Sequence, residues 1–263
     1  LETDLKHLQA KEREEAREAT IELLRICNNA RSLVELMREL SLYFRQLTGC
    51  EAVGVRLRDG EDFPYYITQG FPEEFVLAEN SLCAFNQAGE LVRDDSGHPA
   101  LDCMCGNIIC GRFDPSKSFF TKHGSFWSNC TTELLASTTD ADRQAKTRNR
   151  CNGEGYESVA LIPLRTQGET FGLFQFNDKR KGRFTAGKIA LMESLVTYVA
   201  IALAKLKTEE AIRVSEERYR SLFDNMQEGF AYCRMVIEDD EFRDFVYLDV
   251  NDSFERLTGL KNV

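Results

Sequence analysis

Several things are scarce in this 263-residue chain. Five prolines and seventeen glycines exclude a collagen-like or low-complexity polymer. Basic residues are outnumbered, 33 against 43 acidic, and the net charge of −10 argues against nucleic-acid binding as the main task. No apolar run approaches the roughly 18 residues that span a bilayer, so no membrane segment is expected. There is no G-x-S-x-G elbow, no H-E-x-x-H and no phosphate-binding P-loop, and an enzyme is not expected. Three histidines and no C-x-x-C-H leave few ways to hold haem.

What is present is ordinary for a folded protein. Apolar residues make up 43 % and charged residues 29 %. At roughly 150 residues per domain the length allows one or two domains. Nine cysteines is high, odd, and not preceded by a signal peptide. Free thiols in a reducing cytoplasm are expected rather than a secreted disulfide framework. The chain opens at Leu1 in charged, helical-looking sequence, and we expect it to be part of a longer protein.

The apolar spacing predicts elements. Residues 1–22 read as an exposed linker helix with Leu5 and Leu8 starting a seam. From Ile21 to Leu47, apolar residues every three or four positions predict a core-facing helix, interrupted near Asn28–Asn29 and ended by Gly49. Alternation predicts strands at 51–58 and 63–70 with a turn at Asp59–Gly60. It also predicts a hairpin of 157–165 and 170–178 around Gln167–Gly168. Residues 71–157 show no clear period. After the basic loop 179–183 a long helix is expected over 185–223, with an apolar seam through Met192, Leu195, Val199, Ala202 and Leu206. Residues 218–263 then read as helix, strand, strand and short helix.

The segment 24–206 resembles a GAF domain, a small-molecule sensor fold. The matching stretches are GSFWSN (124–129), TRNRCN (147–152), GYESVALIPLR (155–165) and GLFQFNDKRKGRFT (172–185). Together they are similar to GAF domains of prokaryotic multi-domain sensor histidine kinases, in which a CxCG element, here Cys103 to Gly106, precedes GSFW and a cysteine, here Cys151, follows TRNR. RYRSLFDNMQEGF (218–230) and NDSFERLTG (251–259) resemble the N-terminal half of a PAS domain. The resemblance implies an α+β fold: an antiparallel sheet with helices on one face, flanked by long N- and C-terminal signalling helices. The expected division is a linker helix at 1–22, a GAF domain at 23–206, a helical linker at 207–217 and a partial PAS domain at 218–263.

The candidate chemistry lies between residues 103 and 151. Cys103 and Cys105 are spaced C-x-C in a glycine-bearing loop, and thiolates suit zinc or an iron–sulfur cluster. With Cys151 they would make a three-thiolate set. A fourth ligand would come from Cys110, Cys130 or His123, in that order. The alternatives are a thiol/disulfide pair, haem, or buried inert cysteines. Cys27, Cys50, Cys83 and Cys233 read as structural. An organic effector would instead use Phe126, Trp127 and Tyr156 as an aromatic wall and Arg148 and Arg150 as an anion clamp. A Cys130–His123 nucleophile pair is the weakest option.

The expected function is a cytoplasmic sensory module, its output a histidine kinase. It would detect a ligand, metal centre or redox state and relay it through the exit helix to downstream PAS and kinase domains. Homodimerisation through the terminal helices is expected. The alternative is a passive dimerisation module with a vestigial pocket.

Overall fold

The computed structural model describes residues 2–94, 96–144, 147–166, 169–238 and 241–260, the side chains of residues 2–6, 8 and 9 excepted. The Gln167–Gly168 turn lies outside the described residues, as do the side chains of Leu5 and Leu8. The chain divides into two compact units, residues 1–204 and 205–263.

Unit 1 begins with α1 (Glu2–Asn29) and α2 (Leu33–Thr48). The expected break near Asn28–Asn29 is real, but the segments before it are one helix rather than two. Ser32 starts α2 by accepting a hydrogen bond from the Glu35 N–H, satisfying a donor the first turn would leave free. Gly49, at φ 63°, ends it, because the left-handed backbone there suits a residue without Cβ.

The sheet is built from β1 (Ala52–Leu57), β2 (Tyr65–Gln69), β3 (Phe126–Ser128), β4 (Ser158–Thr166) and β5 (Glu169–Asp178). Its order is β2-β1-β5-β4-β3, and every neighbouring pair is antiparallel. Between β2 and β3 lie α3 (Glu73–Glu79) and α4 (Cys103–Ile109). Between β3 and β4 lie α5 (Thr131–Ser137) and α6 (Arg150–Gly153), the other short elements of the aperiodic region.

The central strands are buried on both faces, so the period-two pattern sorts residues to two different cores. Phe174 and Phe176 point to the helical face, where Phe44 of α2 meets their rings at 4.9 and 5.7 Å. Burying one such ring fully is worth about 1.5–3 kcal/mol. Leu173, Val159 and Leu161 point the other way. They join a second core with Leu101, Met104, Cys105, Ile108, Phe120, Phe126 and Tyr156 from the irregular crossing. That second core roofs the sheet face away from the helices.

The helix α7 (Ala186–Asn225) leaves unit 1 and enters unit 2. Ile189, Met192, Leu195, Val196, Val199, Ala200 and Leu203 are buried. The expectation of no membrane-length apolar stretch needs correcting. An 18-residue window of α7 has a mean hydropathy of 1.8, long and apolar enough by composition to cross a bilayer. Its apolar stripe lies in the core of unit 1, and core helices of soluble proteins share this composition.

The basic loop is not a free charged patch. Arg180 and Arg183 close on the buried Asp178 carboxylate at 2.7 and 3.5 Å and donate to the Gly49 carbonyl.

Unit 2 contains the hairpin β6 (Ala231–Glu238) and β7 (Glu241–Val250), followed by α8 (Asp252–Thr258). The fully buried Asn251 side chain accepts from Phe254 N–H and Phe230 N–H, tying the helix start to the hairpin.

Candidate functional site

The CMCG element forms the first turn of α4. Cys103 sits at φ 66°, a left-handed conformation that costs a non-glycine residue about 1 kcal/mol and occurs where surroundings impose it. Gly106 is needed for a different reason. A Cβ there would lie 2.7 Å from the Leu101 Cβ and 2.8 Å from its carbonyl carbon. The glycine lets the loop before α4 press against the helix that carries the thiols.

Cys103 shares a hydrogen bond with Cys105 and is faced by the backbone N–H groups of Arg148 and Met104. These donors outweigh burial and bring the Cys103 thiol down to about 6. Cys105 is pushed well above the ordinary thiol value, first by that same hydrogen bond and then by burial. Burial, followed by the charge of Cys103, pushes Cys151 up to about 12.

Gln175 on β5 joins the thiols from below. Its Oε1 accepts from Cys105 Sγ at 3.8 Å and from the Tyr65 hydroxyl at 2.8 Å. Its Nε2 faces Cys151 Sγ at 3.5 Å and Asn177 Oδ1 at 3.2 Å. Tyr65 lies under the Arg56 guanidinium, 3.6 Å from its ring centre. Arg56 is fully buried and donates to the carbonyls of Phe63, Glu79 and Asn80. The buried Glu79 carboxyl, raised by burial and lowered by its arginine neighbours with a net upward shift, lies 3.3 Å from Arg150 and 3.9 Å from Arg148.

The three cysteines Cys103, Cys105 and Cys151 line one cavity of about 60 Å³ with Phe126 and Arg150. That volume admits a few water-sized groups. Among the described residues, no set of three or more His, Cys, Asp or Glu side chains is disposed to hold a metal ion.

The other candidates are placed elsewhere. Cys110 is exposed at the C-terminal end of α4. Cys130 precedes α5, its thiol 3.5 Å from Glu157. His123 and Trp127 border a groove on the helical face of the sheet, away from the thiols. Arg148 holds the loop through the carbonyls of Ser81 and Cys83, and its backbone meets Cys103. Tyr156 is buried edge-on against Phe71 and Phe75. Sequence reasoning passed over Gln175, Tyr65, Arg56 and Glu79. The available signal was a polar residue inside an apolar alternation: Gln175 and Asn177 in TFGLFQFND, and Arg56 in AVGVRL.

Comparison with known proteins agrees with this architecture. A profile of the GAF domain matches residues 32–203, and one of a PAS domain matches residues 217–263. The GAF domain of a phosphoenolpyruvate-protein phosphotransferase from Coxiella burnetii is 14 % identical, with TM-score 0.53. The alignment covers 75 % of this chain and 98 % of that one. The crystallised domain assigned to a two-component sensor histidine kinase protein of Sinorhizobium meliloti is 14 % identical at TM-score 0.44, covering 70 % of this chain and 99 % of that one. A free methionine-R-sulfoxide reductase from Neisseria meningitidis, bound to its substrate, is 11 % identical at TM-score 0.49, covering 74 % and 91 %. No curated protein gives a significant sequence match.

Proposed function

Since the chain belongs to the GAF family, we propose that it is the sensory part of a cytoplasmic signalling protein and that the thiol cavity is its input. One observation carries this reading: Cys103, Cys105 and Cys151 line one cavity, Cys105 and Cys151 both resting on Gln175, and the acidities of Cys103 and Cys105 are shifted in opposite directions. The pair is therefore asymmetric, an anionic nucleophile beside a proton-bearing thiol.

The signal is a hydroperoxide. The Cys103 thiolate attacks one peroxide oxygen; an S–O bond forms, the O–O bond breaks, and the leaving oxyanion takes a proton. Cys103 is oxidised by two electrons to the sulfenic acid and the peroxide is reduced. The Cys105 sulfur then attacks Cys103; an S–S bond forms, the S–O bond breaks, and hydroxide leaves as water with the Cys105 proton. Cys105 thereby loses its hydrogen bond to Gln175, which lies on the strand whose opposite face carries Phe174 and Phe176. Output follows α7 toward the PAS-type unit and a histidine kinase, provided the two redox forms favour different helix arrangements. Pairing of two copies along α7 is supported by exposed Tyr198, Ile201, Ile212 and Leu222.

The test is anaerobically reduced protein treated with hydrogen peroxide and followed by intact mass and peptide mapping. The expected result is a species lighter by two hydrogens with Cys103 linked to Cys105, absent in Cys103→Ser and unchanged in Cys110→Ser. Equal oxidation of all nine cysteines would overturn it, as would a stoichiometric metal found on the three thiols in elemental analysis.

A further inference from the structure

The opposite face of the sheet holds a second, larger concavity. A groove of about 530 Å³ runs between the loop 121–125, the β3–β4 edge and the first turns of α7, all within unit 1. This is a volume typical of small-molecule clefts. Along β3 the side chains alternate, so Phe126 faces the thiol cavity while Trp127 lines this groove.

Four observations describe its chemistry. Ser125 is fully buried, borders the groove, and its hydroxyl has no hydrogen-bond partner. A buried hydroxyl without a partner costs about 1–3 kcal/mol, a deficit that a ligand oxygen would remove. Arg165 donates one N–H to the His123 carbonyl at 2.5 Å, and its charge is felt by the Glu193 carboxylate across the groove without a hydrogen bond between them. Gly124 makes room for it, since a Cβ there would collide with the Arg165 guanidinium and the Phe113 ring. Lys122 and His123 stand at the rim, so two cationic side chains, Lys122 and Arg165, gather here on a chain of net charge −10. Glu193 of α7 is the one acidic lining residue, and its carboxylate already accepts from the Thr121 hydroxyl at 2.5 Å. The remaining surface is apolar or aromatic, Trp127 foremost.

We infer that this groove binds a small organic carboxylate: Arg165 and Lys122 take the carboxylate, the Ser125 hydroxyl donates to it, and Trp127 covers the apolar body. Planar guanidinium groups suit planar carboxylates, and the aromatic wall favours an organic acid over an inorganic anion. Because α7 forms one wall, occupancy bears on the helix that leaves the domain without passing through the thiols. The site is independent of the peroxide reading.

Trp127 is the single tryptophan of the chain, so its emission reports on the groove alone. Full-length protein is titrated with sodium benzoate against sodium chloride at constant ionic strength. A saturable emission change is expected, with affinity about tenfold or more weaker in Arg165→Gln. Ser125→Ala should also weaken it, and Cys103→Ser should leave it unchanged. Circular dichroism melts identify folded variants. Should Arg165→Gln fail to fold, Lys122→Gln and Ser125→Ala carry the comparison, and unaltered affinity in both overturns the assignment. A linear, non-saturating change overturns it, as does inorganic phosphate competing as well as benzoate.

Discussion

Cys103 and Cys105 share one hydrogen bond that moves their acidities in opposite directions, Cys103 down to about 6 and Cys105 well above the ordinary thiol range. Both shifts favour the anion on Cys103 over the anion on Cys105.

Alkylation should follow this asymmetry. Modification of Cys103 by iodoacetamide should reach half its maximal rate near pH 6 and level off above neutrality. Cys105→Ala removes the strongest donor and should move the midpoint up toward the ordinary value of about 8.5. Peptide-resolved mass spectrometry across pH measures both. A wild-type midpoint already at the ordinary value would contradict the shared hydrogen bond.

Gln175 should matter for stability as well as chemistry. Gln175→Leu strips the acceptor from Tyr65 and Cys105 and the donor from Asn177, which is itself fully buried. Each buried group left unpaired costs about 1–3 kcal/mol, and we expect a total of about 2–4 kcal/mol. Urea unfolding of the variant against wild type reads this, and a loss under about 1 kcal/mol would mean that water replaces the amide.

Asp178 sets an acid limit. Burial alone would raise its pKa, but hydrogen bonds from Arg180 and the charges of Arg180 and Arg183 hold it below the usual carboxylate value. A group depressed on folding stabilises fully above its unfolded pKa of about 4, and the stabilisation is lost as pH falls through the folded value. Asp178→Asn should cost about 3 kcal/mol at pH 7, with the gap to wild type closing in acid. Denaturation at both pH values is the check; a gap independent of pH would rule out the ionised carboxylate as its source.

Gly106 opposes two effects. An alanine in a helix interior is normally better than glycine by about 1 kcal/mol. Here its Cβ would press into Leu101, so Gly106→Ala should lower stability by about 1–3 kcal/mol and slow Cys103 alkylation. A stabilised variant with unchanged Cys103 reactivity would show that the loop yields freely.

How much of this was legible beforehand depended on period. The β4–β5 hairpin, β1, α2 and α7 carry repeats long enough to read, and Met192, Leu195 and Val199 of the expected α7 seam are in the core, whereas its last positions, Ala202 and Leu206, are only half-buried and Ala200 and Leu203 are buried instead. The crossing from residue 71 to 157 holds elements of three to seven residues, too short for any repeat to emerge. Its core residues, such as Leu101 and Phe120, are buried by where the chain folds back, which neighbouring residues do not encode. The three cysteines could be grouped by motif, but their organiser could not. Gln175 is 24 residues from Cys151 and 70 from Cys105, and only the sheet brings it beneath them. Trp127 was misdirected because β3 has three residues, and an alternation that brief does not show which side faces which cavity.

The two-sided burial of β5 bears on how the molecule tolerates changes in length. Phe174 and Phe176 serve one face, Gln175 and Asn177 the other. A single-residue deletion upstream within the strand would swap them, driving two amides among the helices and two phenyl rings beneath the thiols. Substitutions can be absorbed one side chain at a time, whereas a shift of one residue damages both halves of the domain together. Insertions have somewhere else to go. The turns at Gly89 and at Gly97 have open space about each glycine and are closed by the isolated bridges Phe85–Leu91 and Arg93–Pro99, outside the five-stranded sheet, so the domain can lengthen there while its central strand keeps a fixed count.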